Sequence, residues 1–334
     1  MCCNHGNDAS QASLSAAALL VGSLDQDAVT RAVGREARPT GSEPACTLKM
    51  LWPAVLALLR RRLAPDLAAA TSTGSNHEIN QDSLLQPPSG SALLAVADGV
   101  SQSNGGDKAS RIAVLALALS CPTDRKALEK AAFAADAAVK ESFALFGAGR
   151  PAQTTLVAAT VRRGAIADYL SIGDSRVYLL RPRGVLSRSY TCEQLTVDQT
   201  HGERKKRVAY RHPEKYRDDM MFHAIGAGLV ADEVRAERRS IPPGGLLVLA
   251  TDGFFRGMGA DHRGQIALLA ASHSGANAAQ LARLLVAEAA QRFDTGDDIT
   301  VAVIIPCYWL GVRWPFWAAL GLMLPIIYVT GICF

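Results

Sequence analysis

Residues 154–182 read TTLVAATVRRGAIADYLSIGDSRVYLLRP and carry the clearest signal for the fold. Three apolar runs in this stretch are separated by turn residues, first at Gly164 and then at Asp174 and Ser175. Turns this short join antiparallel strands, because parallel neighbours need a crossover connection of about a dozen residues or more. The stretch therefore predicts an antiparallel meander of three strands.

Further strands and helices are predicted on both sides of this stretch. Apolar residues recur at helical spacing in three segments and form short continuous runs in three others. Helices that come in blocks separate from hairpin-connected strands are typical of an α+β fold with antiparallel sheets. The predicted strands are 93–99, 245–253 and 299–305, and the predicted helices are 107–119, 124–147 and 277–292.

Composition excludes several classes of protein. The chain has 334 residues, of which 49% are hydrophobic, so it can bury a sizeable core without disulfides. Its seven cysteines are scattered and show no zinc-binding spacing. The net charge of +4 is too small to indicate a nucleic-acid partner, and no nucleic-acid-binding motif accompanies it.

The two ends of the chain differ from its centre. Residues 1–70 form an N-terminal extension of unknown role, whereas 71–306 contain the predicted strands. Residues 314–334 carry no charge and follow Arg313; as a helix they would be about 31 Å long, the thickness of a bilayer core. The sequence therefore predicts a single-pass membrane anchor over 307–334, with the preceding domain on the cytoplasmic side of the inner or plasma membrane. A buried C-terminal helix is the alternative, but it would have to be apolar on all sides.

Acidic residues recur at the tips of the predicted strands. Each has a simple explanation when taken alone, since Asp-Gly after a strand is a common turn. Together, several carboxylates with almost no His or Cys nearby suit a hard cation such as Mg²⁺ or Mn²⁺. Two such ions can generate a hydroxide nucleophile and stabilise a phosphoryl transition state, which predicts a metal-dependent phosphoester hydrolase. The acidic residues are Asp82, Asp98, Asp174, Asp252, Asp297 and Asp298.

Eight segments carry these residues and their surroundings: GSNHEINQD (74–82), VADGVSQSNGGDKAS (96–110), TTL (154–156), SIGDSRVYLLR (171–181), LTVDQT (195–200), AIGAG (224–228), LLVLATDGF (246–254) and GDDITVAVI (296–304). The residues of these segments and their order along the chain resemble the motifs of the metal-dependent Ser/Thr protein phosphatases, the PPM or protein phosphatase type 2C family, over about 71–305. The chain is similar in particular to bacterial members with a C-terminal membrane segment. The resemblance implies two packed antiparallel β-sheets flanked by helices, an α-β-β-α sandwich.

The resemblance also implies the direct metal ligands. Asp98 would bridge two Mg²⁺ or Mn²⁺ ions, and the carbonyl of Gly99 would ligate one of them. Asp252 and Asp297 would complete the metal shell. A hydroxide bridging the ions would then attack the phosphorus of phosphoserine or phosphothreonine in line, without a phosphoenzyme.

Two further acidic residues and three departures from the family pattern complete the predicted site. By the same resemblance, Asp82 would lie at the metal–water network and Asp174 would help to hold a third ion. His77 stands where the family has the Arg that grips the substrate phosphate, and Gln81 stands where it has Glu. A neutral His cannot form the bidentate pair of hydrogen bonds that Arg forms with phosphate, so His77 predicts weaker phosphate binding. Asp298 replaces an Asn and would add negative charge.

The residues and the resemblance together predict a membrane-anchored phosphatase that acts on phosphorylated proteins and opposes a separate Ser/Thr kinase. The basic segment 201–217 is, by its charge alone, typical of a solvated surface loop. By the resemblance it would correspond to a variable flap beside the active site, where it could steer acidic substrates. The alternative is a catalytically weak module that binds phosphoproteins or tethers a kinase at the membrane. His77 and Gln81 favour that alternative, whereas the intact Asp98, Asp252 and Asp297 favour an enzyme.

Overall fold

The computed structural model describes residues 65–85, 92–101, 103, 105–144, 152–162, 165–184, 189–208, 215, 217–231 and 234–306. Nearly all of the predicted N-terminal extension, and the predicted membrane anchor over 307–334, lie outside these residues. Within the described ranges, no helix is both long enough and apolar enough to cross a membrane. The anchor therefore stays a prediction.

Two five-stranded sheets form the centre of the fold, and every strand pair in them is antiparallel. The first sheet has the order β1 (Asp66–Ser72), β10 (Ile299–Ile305), β9 (Leu246–Ala250), β6 (Arg176–Pro182) and β7 (Tyr190–Gln194). The second has the order β2 (Asp82–Leu85), β3 (Leu93–Asp98), β4 (Leu156–Arg162), β5 (Ile166–Ile172) and β8 (Glu237–Ser240).

Helices cover the outer face of each sheet, because each helix presents one apolar face. Buried side chains of α1 (Gly106–Ser120) and α2 (Arg125–Ala144) pack with the second sheet. Those of α4 (Asp252–Met258), α5 (His262–Ser272) and α6 (Ala278–Arg292) pack with the first. A third apolar cluster, with Leu94, Val177 and Leu249 among its members, lies between the sheets. The expected α-β-β-α sandwich is confirmed, and a short helix, α3 (His201–Lys205), lies apart from these layers.

The predicted three-stranded meander is wrong at its second turn. β4 and β5 form a hairpin in the second sheet, but β6 pairs with β7 and β9 in the first sheet. Gly173, between β5 and β6, has φ 96°, a conformation that glycine adopts at no steric cost. The chain therefore crosses from one sheet to the other beside Asp174, so this residue lies where the two sheets meet.

Strand β1 was not predicted from the sequence. It begins at Asp66, inside the range assigned to the N-terminal extension, and pairs with β10 along all seven of its residues. The carboxylate of Asp66 also accepts a hydrogen bond of 2.8 Å from the backbone of Ala278 at the start of α6. The folded unit thus includes residues before position 71.

Candidate functional site

The ends of strands from both sheets bring the predicted acidic residues to one edge of the sandwich. Asp98 ends β3, Asp174 follows β5, Asp252 follows β9 and Asp297 precedes β10. These four line a single cavity of about 400 Å³, together with the backbone of Gly99. Asp82 does not line the cavity, but it lies directly opposite Asp98 in the β2–β3 ladder.

The backbone of Asp98 is held by the two threonines of the TTL segment. Its N–H donates to Thr155 Oγ1 at 2.9 Å, and its carbonyl accepts from the Thr155 N–H at 2.8 Å and from Thr154 Oγ1 at 2.7 Å. The Thr155 hydroxyl is also 2.7 Å from the hydroxyl of Ser175, which follows Asp174. These bonds fix the Asp98 and Asp174 segments relative to each other, although they belong to different parts of the chain.

Asp82 is held from the opposite sheet. Its Oδ2 accepts a hydrogen bond of 2.8 Å from the hydroxyl of Thr251, and that hydroxyl accepts one of 3.0 Å from the backbone N–H of Thr300. All three residues are buried. The Thr251 position next to Asp252 therefore links the two sheets immediately behind the cavity.

Burial and crowding disfavour the charged form of these carboxyl groups. Desolvation is the main cause, and repulsion between the neighbouring acids adds to it. The pKa of Asp82 rises to about 8, that of Asp252 to about 7 and that of Asp174 to about 6. The pKa of Asp98 is raised well above its usual value, through burial and through Asp82, Asp252, Asp174 and Asp297. A bound cation would reverse this penalty.

The donor set fits a hard divalent cation in its chemistry. Asp82 Oδ1 and Asp252 Oδ1 are buried and have no hydrogen-bond partner, which is costly unless a ligand satisfies them. Among the described residues, no three His, Cys, Asp or Glu side chains are arranged to hold an ion as they stand. Instead, Arg256 provides positive charge: its Nη2 lies 2.7 Å from Asp252 Oδ2 and its Nη1 lies 3.6 Å from Asp297 Oδ2.

His77 and Asp298 form a pair beside the predicted ligands. His77 Nδ1 lies 3.0 Å from Asp298 Oδ2, and His77 is not among the residues that line the cavity. Asp298 also accepts hydrogen bonds from the backbone N–H groups of Gly74 and Gln81, at 2.8 and 2.6 Å. Asp298 therefore organises the loop before β2, and its charge contributes to the raised pKa of Asp82.

Several cavity residues were not singled out from the sequence. Asp219, Met220 and Met221, directly after the predicted basic segment 201–217, line the cavity, and so does Arg217, the last residue of that segment. Arg256 lines the cavity as well. Its position four residues after Asp252 was a usable signal, because residues i and i+4 meet on one face of a helix. Asp219, Met220 and Met221 had no such local signal.

Comparisons with known proteins identify a family and several similar folds. Residues 70–288 match the family model described as protein phosphatase 2C. The serine/threonine phosphatase PstP/Ppp of Mycobacterium tuberculosis has a similar structure, with 23% identity and a TM-score of 0.59 over 73% of this chain and 99% of that chain. A structure of the PstP catalytic domain in complex with two manganese ions gives 23% identity and a TM-score of 0.58, over 72% of this chain and 97% of that chain.

A third structure has slightly higher identity. The PPM Ser-Thr phosphatase MsPP from Mycobacterium smegmatis, in complex with cacodylate, is 26% identical with a TM-score of 0.53, over 72% of this chain and 97% of that chain. A comparison with curated proteins gives no match. Since this family model covers more than half of the chain, the protein belongs to the protein phosphatase 2C family.

Proposed function

We propose that this protein is a Mg²⁺- or Mn²⁺-dependent phosphatase that hydrolyses phosphoserine and phosphothreonine in proteins. The observation that carries the proposal is the group of carboxyl groups at and directly behind the cavity, where one oxygen of Asp252 and one of Asp82 are buried without a hydrogen-bond partner. Such a site is destabilised without a cation. A neighbouring fold with two manganese ions bound supports the same choice of metal.

The residues have separate roles in this proposal. Asp98, Asp252, Asp297 and the carbonyl of Gly99 would hold two ions, and Asp174 would help to hold a third. When bound, the ions supply an activated water nucleophile and offset the charge of the phosphoryl group. Asp82 would accept a hydrogen bond from water in the metal site.

The open cavity provides room for a phosphorylated side chain above the carboxylates. Met220 and Met221 add apolar surface to the wall, whereas Arg217 and Asp219 add charge. Such a mixed wall suits contact with an extended peptide around a phosphorylated residue. This supports a phosphoprotein substrate and, by implication, a Ser/Thr kinase that supplies it.

The experiment is a phosphate-release assay on the full chain with a phosphothreonine peptide. We expect release with Mn²⁺, none with EDTA, and at least a 100-fold loss in Asp252→Asn, because a metal ligand contributes several kcal/mol of transition-state stabilisation. Asp261→Asn is the matched control. Asp261 is exposed and caps α5, a role that Asn performs equally well.

A specific observation also favours the alternative of a catalytically weak phosphoprotein-binding module. Arg256 already neutralises Asp252 and Asp297, so the site has a cation of its own. Binding of a phosphopeptide that does not require Mn²⁺, with no release of phosphate, would establish this alternative. Metal-dependent turnover would exclude it.

We further propose that residues 307–334 anchor the protein in the inner or plasma membrane with the catalytic domain in the cytoplasm. The support is the uncharged stretch after Arg313. Carbonate extraction of membranes from expressing cells should leave the full chain in the pellet. The double variant Leu322→Arg and Ile326→Arg should be released, because each central Arg costs about 3 kcal/mol on insertion. Retention of the variant would contradict the anchor.

A further inference from the structure

Arg256 connects the predicted metal ligands with the open part of the cavity. It lies in α4, four residues after Asp252. Its guanidinium contacts Asp252 at 2.7 Å and approaches Asp297 at 3.6 Å, and its side chain is 46% exposed. One cationic group therefore pairs with Asp252, lies near Asp297 and also lines the cavity.

The other cationic groups nearby have different partners. Among the described residues that line the cavity, the basic side chains are Arg217 and Arg256. Arg217 forms a two-point pair with its own neighbour Asp219, at 3.0 and 2.6 Å. His77, placed by the sequence at the substrate phosphate, is instead paired with Asp298, only 17% exposed and not among the lining residues. Neither group is aimed at the carboxylates of the cavity.

Metal ions bound by Asp252 and Asp297 would compete with Arg256 for the carboxylate oxygens that it contacts now. Divalent ions held by Asp252 and Asp297 would take over the carboxylate charge that Arg256 now balances. The guanidinium would then be free to turn towards the cavity, while α4 keeps its backbone beside the ions. Its planar array of donors matches the geometry of phosphate and can bind it with two hydrogen bonds.

We propose that Arg256 binds the phosphate group of the substrate once metal ions occupy Asp252 and Asp297, a role that the sequence pattern assigns to His77. This inference rests on the proposed phosphatase function, since it concerns the same cavity. It identifies Arg256 as a substrate-binding residue and gives it two alternating partners: carboxylates without metal, and phosphate with metal.

The test is calorimetric titration of the Mn²⁺-loaded full chain with inorganic phosphate. We expect Arg256→Gln to weaken phosphate binding by about 10- to 100-fold, because a charge-assisted bidentate pair is lost. The phosphate affinity of Arg256→Lys should lie between those of Arg256→Gln and the unmodified protein, because Lys keeps the positive charge but cannot form the bidentate pair. Arg292→Gln is the matched control, because it alters an exposed pair with Glu288 on α6 that does not line the cavity. It should change phosphate binding by less than about 3-fold, a shift within the range of exposed ion pairs. His77→Gln tests the rival assignment of the phosphate to His77, and we expect it to retain phosphate binding.

Titration with Mn²⁺ alone provides a second readout that does not depend on turnover. Because Arg256 competes with the ions, we expect Arg256→Gln to bind Mn²⁺ as tightly as the unmodified protein or more tightly. Loss of Mn²⁺ binding in this variant would overturn the inference. Thermal melting should show that each variant is folded, as expected for a side chain that is almost half exposed.

Failure of this inference and failure of the proposed function give different results. If the unmodified protein releases phosphate from the peptide but Arg256→Gln binds phosphate normally, the inference is overturned and the phosphatase function stands. The same conclusion follows if His77→Gln loses phosphate binding instead. If the unmodified protein binds Mn²⁺ and phosphate but releases none from the peptide, the function fails, and the binding role of Arg256 is still decided by the titrations.

Discussion

Asp82 and Asp98 lie directly opposite each other in the antiparallel ladder between β2 and β3. Like charges at opposed positions destabilise a sheet, and burial of both groups adds to this cost. Thr251 binds Asp82, but Asp82 Oδ1 has no hydrogen-bond partner. The strand register therefore places two carboxyl groups opposite each other, and this destabilises the folded protein when no metal is bound. A bound cation would remove that destabilisation.

Replacement of Asp98 should have opposite effects on the stability of the metal-free protein and on its stabilisation by Mn²⁺. We expect Asp98→Asn to stabilise the metal-free protein by about 1 kcal/mol, because it removes a carboxyl group whose charged form is disfavoured by burial and by Asp82. Urea unfolding with EDTA at pH 9, where Asp82 is ionised, measures this. The same variant should lose the rise in melting temperature that excess Mn²⁺ produces in the unmodified protein. A metal-free variant that is less stable than the unmodified protein would contradict the interpretation.

The stability of the metal-free protein should fall as pH rises from about 4 to 8. In this window the unfolded carboxyl groups, with a pKa near 4, are ionised. Asp174, Asp252 and Asp82 still bind protons in the folded state, since their pKa values are raised to about 6, 7 and 8. The unfolded state thus binds fewer protons, and the slope of unfolding free energy against pH is negative.

Metal binding should show the complementary trend. Because ions displace these protons, Mn²⁺ affinity should increase up to about pH 8, with proton release detectable by calorimetry in buffers of different ionisation enthalpy. Urea unfolding curves at several pH values, with EDTA, measure the stability itself. Metal-free stability that does not change across this window would show that the carboxyl groups are ionised in the folded protein.

The Thr251 hydroxyl should matter more than its methyl group. Thr251→Val would leave Asp82 Oδ2 and the Thr300 N–H without their partner, so we expect a loss of about 1–3 kcal/mol in stability and weaker Mn²⁺ binding. Thr251→Ser keeps the hydroxyl and is the matched control, with Mn²⁺ affinity within about 3-fold of the unmodified protein, because both hydrogen bonds can persist. Denaturation and calorimetry on both variants decide this. Equal Mn²⁺ affinity in Val and Ser variants would show that Asp82 does not depend on Thr251.

A carboxylate that does not line the cavity should affect stability alone. Asp168 is fully buried in β5 and pairs with Arg238, at 2.6 and 3.1 Å, and with Arg162 at 3.1 Å. Both arginines are partly exposed, so we expect Asp168→Asn to destabilise the protein by about 2 kcal/mol, less than a fully buried pair would lose. Phosphate release per folded molecule should not change. Asp218→Asn, which alters an exposed pair with Lys205, is the control and should have no measurable effect.

Much of the secondary structure and of the acidic site could be predicted from local patterns. The segments that form β9, β10 and α6 carry apolar runs or helical spacing within a few residues, and burial of those faces needs no distant information. Asp98, Asp174, Asp252 and Asp297 could be selected because each lies at a strand end, where the chain leaves the sheet. Because these strand ends lie at one edge of the sandwich, the four side chains line the same cavity.

Tertiary structure alone decided the remaining features, because they depend on pairs that are distant along the chain. β6 belongs to the first sheet and not to the predicted meander, because its backbone pairs there with β7 on one side and β9 on the other. Asp298 holds Gly74 and His77 across more than 220 residues, a pairing that no local pattern around His77 indicates. The sequence by itself determined that acidic residues stand at the strand ends and that Arg256 follows Asp252 by one helical turn. The packing of the sheets decided that Asp297, which is distant along the chain, also lies beside Arg256.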